Sequence, residues 1–199
     1  MKKIFRASII HFAQQDLADM VPPDTIARIK QKDADPQFKA FVVAHEGEAT
    51  AELVATGKPS VLRYFRDAII KIGNSLGFNT PAFYRHSGND GTGNNTGREQ
   101  IGELVGKTFK EIGGKLHAIA AFYIYPKFRK KDLKAASYEA DIEMEMEQDG
   151  GVRVGDVARV TGVALSDIDT PGFPGATLMA TMQAFVELSL IHISEPTRR

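Results

Sequence analysis

Residues 101–126, IGELVGKTFKEIGGKLHAIAAFYIYP, decide the fold because they contain two strand-forming runs joined by a tight turn. Apolar, β-branched and aromatic residues dominate the two runs, as is typical of strands in a buried or half-buried sheet. Gly113 and Gly114 lie between the runs, and a glycine pair readily takes the positive φ angles of a two-residue hairpin turn. The stretch therefore predicts an antiparallel hairpin.

A second hairpin is expected downstream of the first. Residues 139–147 alternate acidic with apolar side chains, as a half-buried strand would. Gly150 and Gly151 then turn the chain back into a second run, RVGDVARVTGVAL, at residues 153–165. Residues 130–138, between the two hairpins, are expected to form a short helix. The middle of the chain thus predicts two antiparallel strand pairs.

The beginning of the chain predicts strand, helix and strand. Short β-rich runs occupy residues 4–12 and 38–45. Between these runs, Asp24 is placed to cap a small helix at residues 25–31. A β-α-β order is therefore expected before the hairpins.

A longer helix is expected after this unit. Residues 50–60 show no regular pattern and are expected to be irregular. From Ser60 onward apolar residues recur at helical spacing, and Gly77 is placed to end the helix. Residues 78–86 then form a short extended run, and residues 88–97, GNDGTGNNTG, are expected to be a polar surface loop.

The order of these elements predicts an α+β fold. Two helices and several antiparallel strands suit a small, bent antiparallel sheet or barrel with helices packed around it. A chain of 199 residues is long enough for one domain of ordinary size. We assign that domain to residues 1–176.

Two segments follow this domain. Residues 177–187, TLMATMQAFVE, are expected to begin a helix. Residues 188–198 read LSLIHISEPTR, which is identified as the translation of a sequencing-library adapter. We therefore expect residues 188–199 to be an artefact and the natural protein to continue beyond Glu187. Three residues are thereby removed as candidates for chemistry: Ser189, His192 and Ser194.

The composition argues against several classes of function. The chain carries 25 Lys and Arg residues against 25 Asp and Glu residues, and their dispersion predicts no basic surface for nucleic acid or anionic membrane. It contains no cysteine, which excludes disulfides, thiol nucleophiles and cysteine-ligated metals. No stretch approaches the roughly 20 apolar residues of a membrane span. We expect a soluble, cytoplasmic protein that uses no cofactor.

Four histidines are candidates for chemistry. His11, His45 and His117 lie in or near the ends of expected strands, where a buried, hydrogen-bonded histidine is the more common finding. None has a neighbour at the spacing of a zinc site, so no metal is expected. His86 differs because it ends a strand beside the polar loop, where a scaffold can present a histidine to a substrate.

No serine carries a nucleophile motif. The pattern G-x-S-x-G is absent around Ser87, Ser137 and Ser166. The acidic run EADIEMEMEQD, at residues 139–149, is typical of the solvated face of an edge strand, where charges discourage pairing with another edge. The functional alternative is that one of its carboxylates lies beside His86.

Three segments between residues 84 and 187 carry a resemblance to a known family. The first is a strand ending in His86, followed by a loop and the hairpin segment IGELVGKTFKEIGGKLHAIAAF. The second is LKAASYEADIEMEM, and the third is VTGVALSDIDTPGFPGATLMATMQAF. In their order and spacing they resemble the prohead protease and scaffold family of tailed bacteriophages, whose fold is shared with herpesvirus assembly proteases.

The resemblance implies a role in capsid assembly. In that family a histidine acts as general base toward a serine, and the enzyme cleaves scaffold and capsid proteins as the shell matures. His86 matches the histidine, whereas Asp141 falls at the serine position, and a carboxylate cannot supply the attack of an activated hydroxyl. Ser137 lies four residues before Asp141. The family also has a third acidic or histidine partner, and Gly162 is found where some relatives have a glutamate in that role.

Two functional hypotheses follow from the resemblance. In the first, a non-catalytic scaffold protein with a protease-like fold organises capsid assembly. In the second, an active serine endopeptidase uses His86 with Ser137 or another serine. The implied partners are the phage major capsid protein and scaffold, with a homo-oligomer inside the assembling prohead in the host cytoplasm. A host hydrolase or binding domain of unrelated fold is the third alternative.

Overall fold

The computed structural model describes residues 14–53, 58–85, 99–167 and 178–182, together with Phe173, Pro174 and Ala176. In this part of the chain three α-helices, a short 3-10 helix at Pro126–Phe128 and nine strands are found. Their bounds are α1 Gln14–Met20, α2 Pro23–Lys30, β1 Gln37–His45, β2 Gly47–Leu53, β3 Lys58–Tyr64, α3 Arg66–Ser75, β4 Pro81–Tyr84, β5 Gln100–Ile112, β6 Lys115–Ile124, β7 Ala135–Met146, β8 Val152–Ser166 and β9 Leu178–Met182.

The strands form one curled, mixed sheet. Its order is β2-β3-β8-β4-β5-β6-β1-β9, and β7 pairs with β8 off this path. The broad α+β expectation is compatible with this architecture, although strands dominate it. The expectation of an antiparallel sheet is wrong for β8, which runs parallel to both β3 and β4. Three long strands separate β4 from β8 in the chain, which leaves ample length for the crossover that parallel pairing requires.

The central hairpin is confirmed. β5 and β6 pair in antiparallel register from Gly102 opposite Ile124 to Ile112 opposite Lys115. The two turn residues have positive φ angles, 58° at Gly113 and 77° at Gly114. Glycine takes this backbone conformation without steric cost, so the local sequence is sufficient to place the turn.

The second hairpin is also confirmed, and its two strands differ in length. β7 has 12 residues and β8 has 15, yet they pair from Ala135 opposite Ser166 to Met146 opposite Val152. The extra residues of β8 lie at three register shifts, which leave Gly155, Ala158 and Thr161 as bulges. Bulges bend a strand and increase its twist, so β8 curves along its length.

The helix expected at residues 130–138 is wrong. β7 already begins at Ala135, and the Lys134 amide donates to the Ser166 carbonyl at 2.7 Å. The only helical turn described between β6 and β7 is the one that starts at Pro126, whose ring fixes a helical φ angle. Pairing with β8 therefore overrides the weak helical preference of this segment.

The boundaries of α2 and α3 also differ from expectation. Pro22 occupies the N-cap position of α2, and Asp24 lies in its first turn instead of capping it. Residues 50–53 and 58–60 are not irregular, because they belong to β2 and β3, whereas residues 54–57 lie outside the described residues. β3 continues to Tyr64, so α3 begins at Arg66 and not at Ser60. Buried and exposed side chains alternate in β3, as in a strand and not in a helix: Leu62 and Tyr64 are buried, while Val61 is exposed.

The helix expected at residues 177–187 is wrong over the part that the structure describes. Residues 178–182 form β9, which pairs with β1. Just before β9, the Ala136 amide donates to the Ala176 carbonyl at 3.2 Å, and the Leu178 amide donates to the Lys134 carbonyl at 2.7 Å. These bonds link the β9 side of the sheet to the start of β7, as the curl of the sheet requires. The expected strand at residues 4–12 and loop at residues 88–97 lie outside the described residues.

The helices cover both faces of β5. Lys110 on one face forms an ion pair with Asp16 of α1 at 3.4 Å. Lys107 on the other face reaches the end of α3, where its ammonium donates to the carbonyls of Gly73, Asn74 and Leu76 at 2.8, 3.0 and 2.6 Å. A cation at a helix C-terminus satisfies carbonyls that have no partner inside the helix. Lys107 thereby fixes α3 on the sheet.

Candidate functional site

β4 and β8 run parallel and end at the same edge of the sheet. Tyr84 pairs with Leu165, and beyond it the Arg85 amide donates to the Leu165 carbonyl at 2.9 Å. β4 leads from this edge toward residue 86, while β8 leads to Asp167. Carboxyl ends of adjacent parallel strands are where ligand-binding residues commonly meet. This edge is therefore the first candidate site.

Four polar side chains form a cluster at this edge, which we call the Asp167 cluster: Tyr84, Arg85, Lys131 and Asp167. The Asp167 carboxylate accepts hydrogen bonds from the Tyr84 hydroxyl at 2.9 Å and from Arg85 Nε and Nη2 at 2.9 and 3.0 Å. The Lys131 ammonium lies 3.5 Å from the centroid of the Tyr84 ring, a cation–π contact. Two cations thus surround one carboxylate and one phenol.

The hydrogen bonds of the Asp167 cluster set its charge state. The Arg85 guanidinium holds the pKa of Asp167 below its usual range, because it donates two hydrogen bonds to the carboxylate. The hydrogen bond to Asp167 raises the pKa of the Tyr84 hydroxyl. At neutral pH the carboxylate is therefore ionised and the phenol keeps its proton. The Asp167 cluster can orient a neighbouring group, but its carboxylate and its phenol are already hydrogen-bonded to each other.

Arg85 has an unusual backbone conformation. Its φ angle is 60°, in the left-handed region that non-glycine residues enter only at a cost. The bidentate bond to Asp167 and the amide bond to Leu165 hold Arg85 in that conformation. The left-handed conformation of Arg85 ends the extended backbone of β4.

The structure places the predicted site residues in different ways. His86 and Ser87 lie outside the described residues. Ser137 lies on β7 opposite Ala164, which in turn pairs with Phe83 on β4. Residues paired across neighbouring strands share a face and are about 4.8 Å apart, so Ser137 and Phe83 are about 10 Å apart in one row.

Asp141 lies elsewhere on β7. It is exposed, pairs opposite Arg159, and is four residues from Ser137, which corresponds to about 13 Å along a strand. β7 is antiparallel to β8, so Asp141 lies on the side away from the carboxyl end of β4. The structure therefore does not bring Ser137 and Asp141 together. Gly162 has a packing role, since a Cβ there would lie 2.8 Å from the Phe83 ring.

Ser166 lies at the carboxyl end of β8, beside the end of β4. It is half-buried, ends β8, pairs opposite Ala135 and directly precedes Asp167. Arg85 bonds to the main chain of the adjacent Leu165. In the sequence Ser166 is a weak candidate because the G-x-S-x-G pattern is absent around it. In the structure it is a stronger one, because the parallel pairing of β4 with β8 places it beside the end of β4.

A second cluster, the His45 cluster, consists of His45, Tyr64, His117, Tyr138 and Phe173. His45 is 8% exposed, and its ring nitrogens lie 2.8 Å from the Glu46 carbonyl oxygen and 2.7 Å from the Pro174 carbonyl oxygen. Its ring centroid is 5.1 Å from that of His117. A neutral imidazole donates one hydrogen bond, whereas an imidazolium donates two and would satisfy both carbonyls.

Phe173 occupies the centre of the His45 cluster. It is 3% exposed, and its ring centroid lies 4.6 Å from that of Tyr64, 5.3 Å from that of His45 and 5.9 Å from that of Tyr138. The Tyr138 hydroxyl donates to the Tyr64 hydroxyl at 3.0 Å, and burial raises the pKa of both phenols. This aromatic packing anchors the segment that precedes β9. We interpret the His45 cluster as structural.

A third polar cluster joins the end of α2 to β6. Asp33 accepts hydrogen bonds from the Tyr123 hydroxyl at 2.8 Å and from Arg129. Burial acts to raise the pKa of Asp33, but the hydrogen bonds from Arg129, Tyr123 and the Asp35 amide together lower it. This paired buried charge fixes the connection between α2 and β1.

Among the residues that the structure describes, no group of three or more histidine, aspartate or glutamate residues is arranged to hold a metal ion. No described helix combines the length and the apolar character that crossing a membrane would need.

Comparison with known proteins gives no match. No family model, no curated protein and no solved structure matches this chain.

Proposed function

We propose that this chain is a capsid-assembly protein of a tailed bacteriophage, with a protease-like fold and a mainly scaffolding role. The proposal rests on the resemblance of the segments between residues 84 and 187 to the prohead protease and scaffold family. Its partners would be the major capsid protein and scaffold, inside the assembling prohead in the host cytoplasm. Homo-oligomers within the prohead are part of this proposal.

The observation that carries the proposal is the adjacency of the three segments in the sheet. β4 leads into His86, β7 contains Ser137, and β8 lies between them and pairs with both. A histidine and a serine that act together must come within about 3.2 Å of each other. β4 and β7 are each next to β8 but not next to each other, so a side chain beyond the end of β4 would have to reach across β8 to bond Ser137, whereas Ser166 lies at the end of β8 itself.

The geometry distinguishes Asp141, which falls at the family's serine position, from Ser137, four residues earlier. Ser137 shares a cross-strand row with Phe83 of β4, whereas Asp141 is about 13 Å further along β7. If the chain is an endopeptidase, Ser137 or Ser166 is therefore the better nucleophile, with His86 as general base. If neither serine reacts, the fold serves assembly alone, and Asp141 is an ordinary residue of an exposed edge strand.

A serine-reactive fluorophosphonate separates these two forms of the proposal. The purified chain is treated with the reagent, and the labelled peptide is identified by mass spectrometry. Labelling of Ser137 or Ser166 that disappears in His86→Ala would establish a nucleophile and overturn the scaffold-only form. Asp141→Ala is the matched control, since it should leave any labelling unchanged.

The assembly role needs its own measurement. The chain is mixed with the major capsid protein of the phage genome that encodes it, and shells are separated by sedimentation and imaged. We expect the chain to sediment with closed shells and shell yield to fall without it. Shells of normal yield and size in its absence, with no bound chain, would exclude a scaffold role.

A further inference from the structure

β7 pairs with β8 along one of its two edges, and no other described strand pairs with its second edge. β8 pairs with β7 along its whole length. At the other edge, main-chain bonds to described residues occur only near the start, where Ala136 bonds to Ala176 and Lys134 bonds to Leu178. On this side the main chain of residues 140–146 makes no hydrogen bond to a residue that the structure describes, as in an edge strand, to which a further strand can bond.

The side chains along this free edge form two rows. Carboxylates occupy one face, and they are exposed: Asp141, Glu143 and Glu145. Apolar residues occupy the other face: Ile142, Met144 and Met146. Met144 is 46% exposed and Met146 is 78% exposed, so the apolar row ends in side chains that the chain itself leaves uncovered. An uncovered apolar row beside open main-chain groups is typical of a binding edge.

Two of the carboxylates have no partner among the residues that the structure describes. Asp141 and Glu143 form no ion pair and no hydrogen bond with any residue that the structure describes, whereas Glu145 pairs with Arg153 of β8. Glu143 also lies opposite Asp156 of β8, whose carboxylate forms an ion pair with Lys71 at 3.0 Å, so the residue opposite Glu143 provides it with no cation. The free edge therefore carries negative charge that a cation would neutralise.

We propose that the free edge of β7 binds an extended segment of another protein, in which Lys or Arg residues alternate with apolar residues. Such a segment would add to the sheet as a strand beyond β7. Its cations would lie beside Asp141 and Glu143 on one face, and its apolar side chains would cover Met144 and Met146 on the other. The proposal holds whether or not the chain acts in capsid assembly.

β8 shows the chemistry that β7 accepts as a neighbour. Its sequence from residue 152, VRVGDVARV, alternates valine with polar residues over much of its length. Arg153 lies opposite Glu145, and Arg159 lies opposite Asp141. The segment proposed for the free edge would repeat this pairing on the other side of β7.

A second copy of β7 is a poor occupant of the same edge. Two copies paired through this edge would bring one carboxylate row against the other, and such pairs are unfavourable. Charged edge strands resist self-pairing for this reason. The row of charges thus opposes self-association and favours a basic strand.

Three fluorescent peptides of the length of residues 138–146 test the proposal. The first alternates Lys with Val, the second alternates Glu with Val, and the third has the Lys and Val residues of the first in two separate blocks. Anisotropy titrations with the full chain should show binding of the alternating Lys-Val peptide. Hydrogen exchange should show new protection of amides in residues 138–146. The other two peptides should bind at least about tenfold more weakly.

Charge reversal on β7 provides the matched variants. Asp141→Lys combined with Glu143→Lys should weaken binding of the Lys-Val peptide at least about tenfold and strengthen binding of the Glu-Val peptide. The control reverses two exposed carboxylates elsewhere, Asp24→Lys with Asp35→Lys, and should leave both affinities within about twofold. Circular dichroism establishes that both variants are folded.

Three results would overturn the proposal. Equal binding of the alternating and blocked peptides would show attraction by charge without strand addition. Binding of the Lys-Val peptide that is unaffected by the β7 reversal, or protection outside residues 138–146, would place the peptide elsewhere. Sedimentation of the unmodified chain as a dimer that the β7 reversal dissociates would assign the edge to a second copy.

Discussion

The Nε2 atom of His45 lies 2.7 Å from the carbonyl oxygen of Pro174, which is 129 residues further along the chain. This contact joins the end of β1 to the segment before β9. Replacement by alanine leaves the carbonyl of Pro174 without its donor and opens a cavity beside Phe173. We expect His45→Ala to lower the free energy of unfolding by about 2–3 kcal/mol, measured by urea denaturation. His45→Gln can still donate one hydrogen bond and should lose less.

The neighbouring His117 predicts a pH dependence of stability. Burial lowers the pKa of His117 and outweighs the hydrogen bond to the Lys115 carbonyl, which raises it, and the neighbouring His45 and Lys115 side chains also act to lower it. The folded chain thus binds a proton at this site less readily than the unfolded chain, whose histidine has a pKa of about 6.5. Stability is present in full above pH 6.5 or so and is lost as the pH falls through the folded-state pKa.

Urea titrations across the range from about pH 5 to pH 7.5 measure this effect. His117→Gln removes the titrating group and should flatten the loss of stability on the acid side. Asp167 and Asp33 also have lowered pKa values, but they act at the lower pH where carboxylates titrate. An unchanged slope in His117→Gln would assign the dependence to another group.

Phe173 provides the largest expected loss of packing. Its ring is buried among His45, Tyr64 and Tyr138, and alanine would leave a cavity in an interior of fixed shape. We expect Phe173→Ala to lower the free energy of unfolding by about 3–5 kcal/mol, and Phe173→Leu to lose less than half as much. Thermal denaturation monitored by circular dichroism gives the comparison. A loss below about 1 kcal/mol would show that the segment is not anchored by this ring.

Lys107 predicts how α3 is held on the sheet. Its ammonium bonds to three carbonyls at the C-terminal end of α3. Lys107→Met keeps the apolar stem but removes the donors, and it should cost about 1–2 kcal/mol. Hydrogen exchange should show faster opening of α3 with little change in β5 and β6. The nearby Lys110→Met, which removes an ion pair with Asp16, is the control and should cost less than about 1 kcal/mol.

Local patterns in the sequence predict the two hairpins and fail for contacts between distant segments. The turn at Gly113 and Gly114 follows from the backbone freedom of glycine, which requires no knowledge of the remaining fold. β9 forms because the edge of β1 is available to it, and the helical pattern of its own sequence does not reveal that edge. Parallel pairing of β4 with β8 likewise depends on how the whole sheet curls.

The candidate sites divide in the same way. His86 stood out because it follows an expected strand and precedes a polar loop, both of which are local features. The Asp167 cluster could not be predicted, because Arg85 and Asp167 are 82 residues apart and meet only through the pairing of their strands. The His45 cluster depends on the β1–β6 register that sets His45 opposite His117, and a single-residue slip would separate them.

The unequal lengths of β7 and β8 have a mechanical consequence for the molecule. A strand that contains more residues than the strand it pairs with from end to end must curve around that partner. The difference between the 15 residues of β8 and the 12 of β7 therefore sets the curvature of this part of the sheet, and the number of extra residues matters more than their side chains. Deletion of Ala158 would remove one bulge from β8 and reduce the curvature of the sheet, although Ala158 is exposed and contributes no buried side chain to the core.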